Sequence, residues 1–440
     1  MGHAGVDCLT AGAASPRGDM RAEIIAVGSE LLTPEKADTN SLLITERLNE
    51  IGIPIHVKAV VGDDRADLES LLTQALTRSD LIVITGGLGP TDDDVTREAV
   101  ATALGLVLDI DERIVERIQA RFASRGLRMP DINRRQAQVP RGATVLENPN
   151  GTAPGLLIER DGRIVVLLPG PPREMQGMLD AVIRDRLSAW AGAVRLFRRT
   201  LRVVGRTESH TEEVVAPAYA AWASGPVPIS TTILASYGQI ELHLTARAAD
   251  ADAAAAALDR AAADAQARLG LDLYSTDGRL LEEVVGQLLR DRGQRIGVAE
   301  SCTGGLLASR LTDVPGSSDY VEQGVVAYSN ESKAASLGVA PELIAAHGAV
   351  SEPVAAAMAA GICARARIDI GVGITGIAGP GGGTGNKPVG TVCVAVERPR
   401  LGSARTRVRT FRFVGGRALV RSQDVHAALD MVRRWVIETG

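Results

Sequence analysis

Short apolar runs alternate with segments of helical periodicity from Met20 onwards. The runs at 23–27, 54–61 and 81–84 are rich in β-branched and aliphatic residues and are bounded by polar or glycine residues. Such runs are typical of strands buried in a parallel sheet. Helical spacing at 40–51 predicts a helix that faces Leu42, Leu43, Leu48 and Ile51 inward, and a second helix is predicted at 64–77. This order predicts a doubly wound α/β domain.

A glycine-rich and acidic loop follows the run at 81–84. It reads Thr85-Gly86-Gly87-Leu88-Gly89-Pro90-Thr91-Asp92-Asp93-Asp94. Helical spacing resumes at Val95, with Thr91 predicted as the helix cap and Asp94 in the capping-box position. Glycines between a strand end and a helix start allow close approach of a phosphate. The aspartates alone complement the helix dipole, but beside a phosphate they require a cation, which predicts a divalent metal with oxygen ligands.

Composition narrows the class of protein. The chain has 440 residues, so we expect about three domains. Its net charge of -5, with 23% charged residues, predicts no basic surface for nucleic acid or a membrane. Its four cysteines lack C-x-x-C spacing, which is typical of free thiols in a reducing cytoplasm. No apolar run approaches the ~20 residues of a membrane span. Residues 1–19 are predicted to be a disordered tail, with Met20 as a possible true start.

The remaining chain predicts two further regions. Asp161-Gly162 predicts a hairpin, after which Pro171 and Glu174 lie in another strand-to-helix loop. Strands at 196–204 and 239–246 with helices at 208–223 and 250–269 predict a small α+β connector.

Ser301 follows a short strand at 295–299, where backbone amides can stabilise an oxyanion, although Ser301 or Thr303 can equally be a helix cap. A long glycine loop at 374–391 suits close approach to a ligand.

A serine and a lysine are also spaced for chemistry. Ser329 and Lys333 stand one helical turn apart after a strand at 325–328. A lysine kept neutral by burial can deprotonate a serine, so the sequence allows a Ser/Lys hydrolase that needs no histidine. Lys333 taken alone is also compatible with a solvated helix position.

The front of the chain resembles a known family. Segments 28–32, 86–96 and 168–175 are similar to the molybdopterin-binding-like domain of the CinA (competence/damage-inducible protein A) family. The resemblance implies hydrolysis of ADP-ribose to AMP and ribose 5-phosphate with a divalent metal such as Mg, Mn or Co. On this basis the metal is assigned to Asp92, Asp93 or Asp94. ADP-ribose is assigned to Glu30, Asn40, Gly86, Gly87, Gly89, Thr91, Pro171 and Glu174.

The back of the chain resembles the C-terminal CinA domain and the stand-alone nicotinamide mononucleotide (NMN) deamidases. The similarity lies in segments 299–305, 328–333, 348–351 and 375–380. It implies hydrolysis of the NMN amide without a cofactor, with Ser301 as nucleophile and Lys333 as base assisted by Tyr328. Ser329 is the rival nucleophile and Cys302 a weaker one. The amides of Thr303, Gly304 and Gly305 are assigned to the oxyanion, and Thr375, Gly376, Gly379, Arg417 and Arg421 to substrate binding.

The prediction is therefore an α/β protein with four segments. They are a tail at 1–19, a molybdopterin-binding-like ADP-ribose hydrolase domain at 20–189, an α+β connector at 190–277 and an α/β CinA deamidase domain at 278–440. The partners expected are nucleotide substrates and a second copy in a homodimer, without nucleic acid or membrane. Two alternatives stay open, namely a non-catalytic competence or DNA-repair accessory protein and a protein that binds a molybdopterin precursor.

Overall fold

The computed structural model describes residues 20–190, 192–236, 238–400 and 406–439, so the tail predicted at residues 1–19 lies outside the described residues. The chain divides into two compact units. The first contains residues up to Phe197 together with Arg247–Asp252, and the second contains Arg198–Ala246 and the residues from Ala253 onward. Most of the predicted connector thus groups with the C-terminal region. Within the described ranges, no helix is long and apolar enough to cross a membrane.

The first unit alternates strands and helices through most of its length. Its elements are β1 (Ala22–Val27), α1 (Asn40–Glu50), β2 (Ile55–Val61), α2 (Arg65–Arg78), β3 (Leu81–Thr85), α3 (Thr96–Leu104), β4 (Leu108–Ile110), α4 (Glu112–Ala123), β5 (Gln138–Pro140), β6 (Thr144–Leu146), β7 (Gly155–Arg160), β8 (Arg163–Leu168), α5 (Pro172–Val182) and α6 (Ser188–Trp190). The main sheet has the order β2-β1-β3-β8-β7-β6. Strands β2, β1, β3 and β8 are parallel, while β7 and β6 are antiparallel to their neighbours.

The two faces of this sheet carry separate apolar cores. Ile24 and Val83 pack with residues of α1 and α5 on one face, while Ile25 and Ile84 pack with residues of α2 and α3 on the other. Neighbouring residues of a strand point to opposite faces, so fully apolar strands require helices on both sides. The predicted doubly wound α/β fold is confirmed.

Two local predictions in this unit are wrong. Leu42 is 64% exposed, whereas Ile44 and Leu48 are fully buried, because residues four apart share a helix face and Leu42 lies off that face. The helix after the acidic loop begins at Thr96, with Val95 at the cap position, instead of at Thr91. Thr91 and Asp94 bond to each other within the loop, so neither caps the helix.

The middle segment has the predicted α+β character. Its elements are β9 (Arg195–Val204), α7 (Glu208–Ala223), β10 (Ile229–Ser236), β11 (Gln239–Ala248), α8 (Ala251–Leu269) and β12 (Leu273–Ser275). The strand order is β10-β11-β9-β12. The side chain of Arg202 donates to the carbonyl oxygen of Gly278 at 2.8 Å, and Arg434 bonds Asp272 at 2.6 Å. These contacts explain why most of this segment groups with the C-terminal region.

The C-terminal region is a second α/β fold. Its elements are α9 (Leu281–Asp291), β13 (Ile296–Glu300), α10 (Leu306–Thr312), β14 (Val321–Val326), α11 (Asn330–Leu337), α12 (Pro341–His347), α13 (Glu352–Ala366), β15 (Ile370–Gly376), β16 (Thr391–Glu397), β17 (Thr406–Arg412) and α14 (Arg417–Thr439). The sheet order is β14-β13-β15-β16-β17, with β14, β13 and β15 parallel. The loops that follow these three strands therefore meet at one edge of the sheet.

Candidate active sites

The first candidate site is a cleft of about 350 Å³ at the carboxyl ends of β1, β3 and β8, which we call the loop cleft. The residues that line it include Glu30, Gly86, Gly87, Gly89, Asp93, Asp94, Pro171 and Glu174. Gly86 has a φ of 104°, and a Cβ there would lie 2.1 Å from the carbonyl oxygen of Val27. Glycine is thus required where the loop passes the neighbouring strand. Asn40, Thr91 and Asp92, also predicted for this site, are not among the residues that line the cleft.

Asp94 fixes the shape of the acidic loop. Its carboxylate accepts hydrogen bonds from the amide of Gly89 at 2.7 Å and from the amide and hydroxyl of Thr91 at 2.9 and 2.5 Å. Hydrogen bonds to an ionised carboxylate are about twice as strong as neutral ones. The carboxylate of Asp94 is therefore already engaged in holding the turn, which favours a positioning role over that of a metal ligand.

The other two aspartates of the run differ from each other. The side chain of Asp92 is fully exposed, with Arg135 3.5 Å away. Asp93 lines the loop cleft, and a hydrogen bond with Thr91 lowers the pKa of its carboxyl group. Lys36 lowers the pKa of Glu30, and the negative charge of Asp93 opposes that shift. The carboxylates of Asp93 and Glu30 thus repel each other, and a cation between them would relieve that repulsion.

A preformed metal cluster is absent from the described residues: no group of three or more His, Cys, Asp and Glu side chains is arranged to hold an ion. This does not match a site made by Asp92, Asp93 and Asp94 together, because Asp92 is fully exposed outside the cleft lining and Asp94 is engaged in the turn. Magnesium is commonly bound by one or two carboxylates plus phosphate oxygens. Asp93 and Glu30 fit that smaller set, so metal binding stays a prediction.

Two amide side chains position the loops around the cleft. Asn40 donates to the Thr85 hydroxyl at 2.9 Å and to the Gly170 carbonyl oxygen at 2.7 Å, which ties the ends of β3 and β8 together. Asn148 donates to Glu174 at 2.7 Å. These contacts give Asn40 a framework role, and its predicted binding of ligand stays a prediction. Asn148 was missed, because nothing local in its sequence shows that it lies beside Glu174.

Arg97 is a second residue that the sequence did not reveal. It is fully buried under the acidic loop, where it donates to the Leu88 carbonyl oxygen and, at 3.4 Å, to that of Gly89. Burial lowers the pKa of its guanidinium to about 10. A buried positive charge beneath the loop favours an anion above it.

The second candidate site lies where the loops after β13 and β14 meet. The amine of Lys333 donates to the Ser301 hydroxyl at 3.1 Å and to the Tyr328 carbonyl oxygen at 3.0 Å. Lys333 is 1% exposed, and burial lowers the pKa of its amine. A lower pKa increases the neutral fraction, which is the form that accepts a proton. The pair has the composition of a nucleophile with its base.

The rival nucleophiles are placed differently. Ser329 is exposed and caps α11, with its hydroxyl accepting from the amide of Ser332 at 3.0 Å. Cys302 is buried and its thiol donates to Asp424 at 3.4 Å. Burial raises the pKa of this thiol well above its ordinary value, so little reactive thiolate forms. The geometry favours Ser301 over both.

The oxyanion assignment needs correction at two of its three amides. The Gly305 amide donates to the carboxylate of Glu300 at 3.0 Å, and the Gly304 amide donates to the Ser301 carbonyl oxygen at 3.1 Å. Glu300 also accepts from the amides of Leu307 and Ala308. This buried carboxylate therefore takes the donors at the start of α10. The Thr303 amide bonds the Cys302 sulfur, a weak acceptor that an oxyanion can replace.

Two arginines on the first turns of α14 reach towards the same loops. Arg417 donates to the Gly379 carbonyl oxygen at 3.0 Å and to the Tyr328 hydroxyl at 3.2 Å. Arg421 donates to the Thr303 carbonyl oxygen at 3.1 and 2.5 Å. Arg421 is thus brought to the Ser301 loop and Arg417 to the loop after β15, and their binding of substrate stays a prediction. Tyr328 meets Lys333 through its carbonyl oxygen, so its hydroxyl does not assist the base directly.

The glycine loop after β15 lies on another side of this site. The hydroxyl of Thr375, at the end of β15, donates to the Ala349 carbonyl oxygen at 2.8 Å, which ties the strand end to the segment before α13. A Cβ on Gly376 would lie 3.0 Å from the Cys302 sulfur. The absence of a side chain at Gly376 therefore allows the Cys302 turn to pack closely against β15.

Comparison with known proteins matches both sites to one family. A model described as the CinA C-terminal domain matches residues 279–436, and the probable molybdopterin binding domain matches 23–189. The CinA-like protein of Koribacter versatilis is 48% identical over 95% of this chain and 100% of its own length. The chain belongs to the CinA family. A putative competence-damage inducible protein of Symbiobacterium thermophilum is 45% identical over 95% of this chain and 99% of its own length.

Other CinA matches cover single regions. The model for the KH domain of the damage-inducible protein CinA matches residues 198–275, a segment that the sequence predicted only as an α+β connector. Among solved structures, CinA from Thermoplasma acidophilum is 36% identical, covering 38% of this chain and 98% of its own, with a TM-score of 0.36. The competence/damage inducible protein from Agrobacterium tumefaciens is 39% identical, covering 34% and 90%, with a TM-score of 0.33.

Proposed function

We propose that the C-terminal region hydrolyses the carboxamide of NMN to give nicotinate mononucleotide and ammonia. The contact between the Lys333 amine and the Ser301 hydroxyl carries this proposal. It places a buried base of lowered pKa on a serine, which is the arrangement that nucleophilic amide hydrolysis requires. The membership of the CinA family supports it through the resemblance to the NMN deamidases.

The chemistry follows from this pair. The Ser301 oxygen attacks the carboxamide carbon while the neutral Lys333 amine takes the hydroxyl proton. Lys333 then returns this proton to the departing amino group, which leaves as ammonia. A water molecule attacks the acyl-enzyme, with Lys333 as base, and the acid product leaves with Ser301 restored. The Thr303 amide is the proposed donor to the oxyanion.

The phosphate of NMN is proposed to lie near Arg417 and Arg421. Both guanidinium groups sit one helical turn apart at the start of α14. The helix dipole adds a partial positive charge there. Each arginine is held by a carbonyl oxygen, Gly379 for Arg417 and Thr303 for Arg421, so both are oriented before substrate arrives.

Ammonia release from NMN tests this proposal. We expect Ser301→Ala to lose at least about a thousandfold in kcat, while Ser329→Ala, which removes only a helix cap, keeps turnover within about threefold. Thermal unfolding of each variant shows whether it is folded. Equal loss in both variants, or no release by folded wild type, would reject Ser301 as the nucleophile or the reaction itself.

For the loop cleft we propose hydrolysis of ADP-ribose to AMP and ribose 5-phosphate. The pyrophosphate would lie against the glycine loop above the buried Arg97. A divalent ion such as Mg, Mn or Co would be held by Asp93 and Glu30 together with phosphate oxygens. When bound, it would neutralise the pyrophosphate and promote attack by water.

AMP formation from ADP-ribose with added Mg²⁺ tests the second reaction. Asp93→Asn should lower kcat by about a hundredfold or more, because a charged group facing the phosphate is removed. NMN turnover by the same variant is the internal control and should not change. Normal AMP formation by this variant would exclude Asp93 from the machinery.

The two alternatives make different predictions. A non-catalytic accessory protein in competence or DNA repair would turn over neither NMN nor ADP-ribose while folded. A protein that binds a molybdopterin precursor would bind that ligand in the loop cleft without cleaving ADP-ribose. The contact between Lys333 and Ser301 favours the hydrolase, because a binding protein gains nothing from burying a lysine beside a serine.

A further inference from the structure

A second cavity lies next to the loop cleft in the first unit. It has a volume of about 280 Å³ and lies between α4 and the segment 147–154, and we call it the α4 slot. Thr152 lines both the α4 slot and the loop cleft. The volume is near the lower end of cavities that bind small ligands. The two cavities are adjacent and together suit a ligand with two chemically different parts.

The wall between the two cavities is held by the hydrogen bonds of Asn148. Asn148 accepts from the amides of Asn150 and Gly151 at 3.0 and 2.8 Å, and it donates to the Ala153 carbonyl oxygen and to Glu174, both at 2.7 Å. A Cβ on Gly151 would lie 1.7 Å from a Glu174 carboxylate oxygen. Glu174 lines the loop cleft, so one hydrogen-bonded turn sets the position of both cavities.

The chemistry of the α4 slot differs from that of the loop cleft. Ile118, Pro149 and Pro154 supply apolar walls, and Arg117 and Arg121 supply guanidinium groups. Arg121 donates to the Pro149 carbonyl oxygen at 2.9 Å, and Arg117 pairs with Glu147. Apolar walls and guanidinium planes suit a flat aromatic ring. A sugar is disfavoured there, since its hydroxyl groups would lack enough hydrogen-bonding partners.

We infer that the α4 slot binds the purine base of a nucleotide whose phosphates lie in the loop cleft. The inference rests on the proposed hydrolysis of ADP-ribose and adds the direction in which the substrate lies. The adenosine half extends past Thr152 towards α4, and the ribose 5-phosphate half stays on the side of the acidic loop. AMP and ribose 5-phosphate should therefore depend on different residues.

Calorimetric titration of the full chain with AMP and with ribose 5-phosphate, both with Mg²⁺, tests this orientation. We expect Arg121→Ala to weaken AMP binding by about three- to tenfold, as a lost guanidinium–ring contact implies, and to leave ribose 5-phosphate binding unchanged. Arg125→Ala is the matched control, because this exposed arginine lies just beyond the end of α4 and does not line the slot. It should bind both ligands as wild type does.

Arg121→Lys separates a direct contact from a structural one. Lysine can still donate to the Pro149 carbonyl oxygen but offers no planar face, so AMP binding should remain weak. Full AMP affinity in Arg121→Lys, unchanged affinity in Arg121→Ala, or equal weakening of both ligands would each overturn the inference. If AMP binding depends on Arg121 but the protein does not cleave ADP-ribose, the proposed hydrolysis is rejected and the base-binding role of the α4 slot is supported. If the protein cleaves ADP-ribose but Arg121→Ala binds AMP as wild type does, the hydrolysis is supported and the role of the α4 slot is rejected.

Discussion

The two candidate sites share a location in their folds and differ in how they hold charge. Both lie where parallel strands end and loops lead into helices. In the acidic loop the side chain of Asp92 is fully exposed, and at the edge of the loop cleft that of Glu30 is half exposed. In the Ser301 loop, Lys333 is 1% exposed and Glu300 is fully buried. The first site therefore keeps these carboxylates in solvent above the buried Arg97, and the second site buries its carboxylate and its amine.

This difference indicates how each site becomes active. Glu300 and Lys333 are fixed by hydrogen bonds that exist without a ligand, so the Ser301 loop is organised in advance. In the loop cleft, Asp93 and Glu30 repel each other, and in the proposed reaction a cation with a phosphate would bring them into one cluster. Substitution of a buried charge in the Ser301 site should therefore lower the rate of the chemical step directly. In the acidic loop, the loss of activity should be large only where the substituted residue holds the turn.

The largest effect is expected for Lys333→Arg. Arginine stays protonated at any ordinary pH and cannot accept the Ser301 proton. We expect NMN turnover to fall by at least about a thousandfold, as for loss of a general base combined with a misplaced nucleophile. The measurement is ammonia release at saturating NMN.

Two controls make the Lys333 result interpretable. Lys333→Met removes the charge at similar length, so it should fold well and be equally inactive. Lys58→Arg changes an exposed lysine of β2 and should have no effect. Turnover near the wild-type level in Lys333→Arg would show that Lys333 is not the base.

A smaller effect is expected within the acidic loop. Asp94→Ala removes three hydrogen bonds to Gly89 and Thr91, and each bond to a charged group contributes about 1.5–3 kcal/mol. ADP-ribose cleavage should fall about 10- to 100-fold as the turn loosens. Asp92→Ala, two residues away and fully exposed, should stay within about threefold. Equal effects of the two substitutions on AMP formation would mean that exposure does not separate their roles.

Local sequence was sufficient to predict the strands that became β1, β2, β3 and β13, the loops after β3 and β13, and the helices α1 and α2, whereas α4, α9, α13 and α14 were not predicted. The apolar runs that became β3 and β13 are uniformly buried. A short run of this kind is typical of a strand covered on both faces in a parallel sheet. The glycines of the acidic loop were also informative, since Gly86 must pass close to β1. These features depend on residues near each other in the chain.

The contacts that define the sites were harder to predict, because they join distant residues. Spacing paired Lys333 with Ser329, whereas Lys333 reaches Ser301 because β13 and β14 are adjacent and parallel. The hydrogen bond from the Gly305 amide to the Glu300 carboxylate depends on how the chain turns after β13. Asp424 lies on α14 and meets Cys302 only in the folded protein. No pattern within a short window reports such contacts.

The smallest expected effect concerns stability and involves Asp424. This residue is fully buried, and its Oδ1 has no hydrogen-bond partner among the described residues. Burial raises the pKa of its carboxyl group well above the ordinary value, and the charge of Glu300 raises it further. In the unfolded chain, Asp424 has a pKa of about 3.9 and ionises above it. The folded protein therefore holds Asp424 protonated at a pH where the unfolded chain ionises it.

The sign of the pH dependence follows from linkage. Stability from a raised carboxyl pKa is complete below the unfolded pKa and is lost as pH rises towards and through the folded pKa. Asp424→Asn keeps the neutral shape without an ionisable proton, so we expect its Tm to exceed that of wild type by a margin that grows by about 2–4 °C between pH 5 and 7.5. His426, whose pKa burial lowers to about 4, titrates in both proteins and cancels from the difference. Asp313→Asn, at an exposed position, should leave the difference constant. A constant difference for Asp424→Asn as well would mean that the folded protein holds Asp424 ionised beside Glu300, so that the Ser301 site would bury two negative charges against the single amine of Lys333.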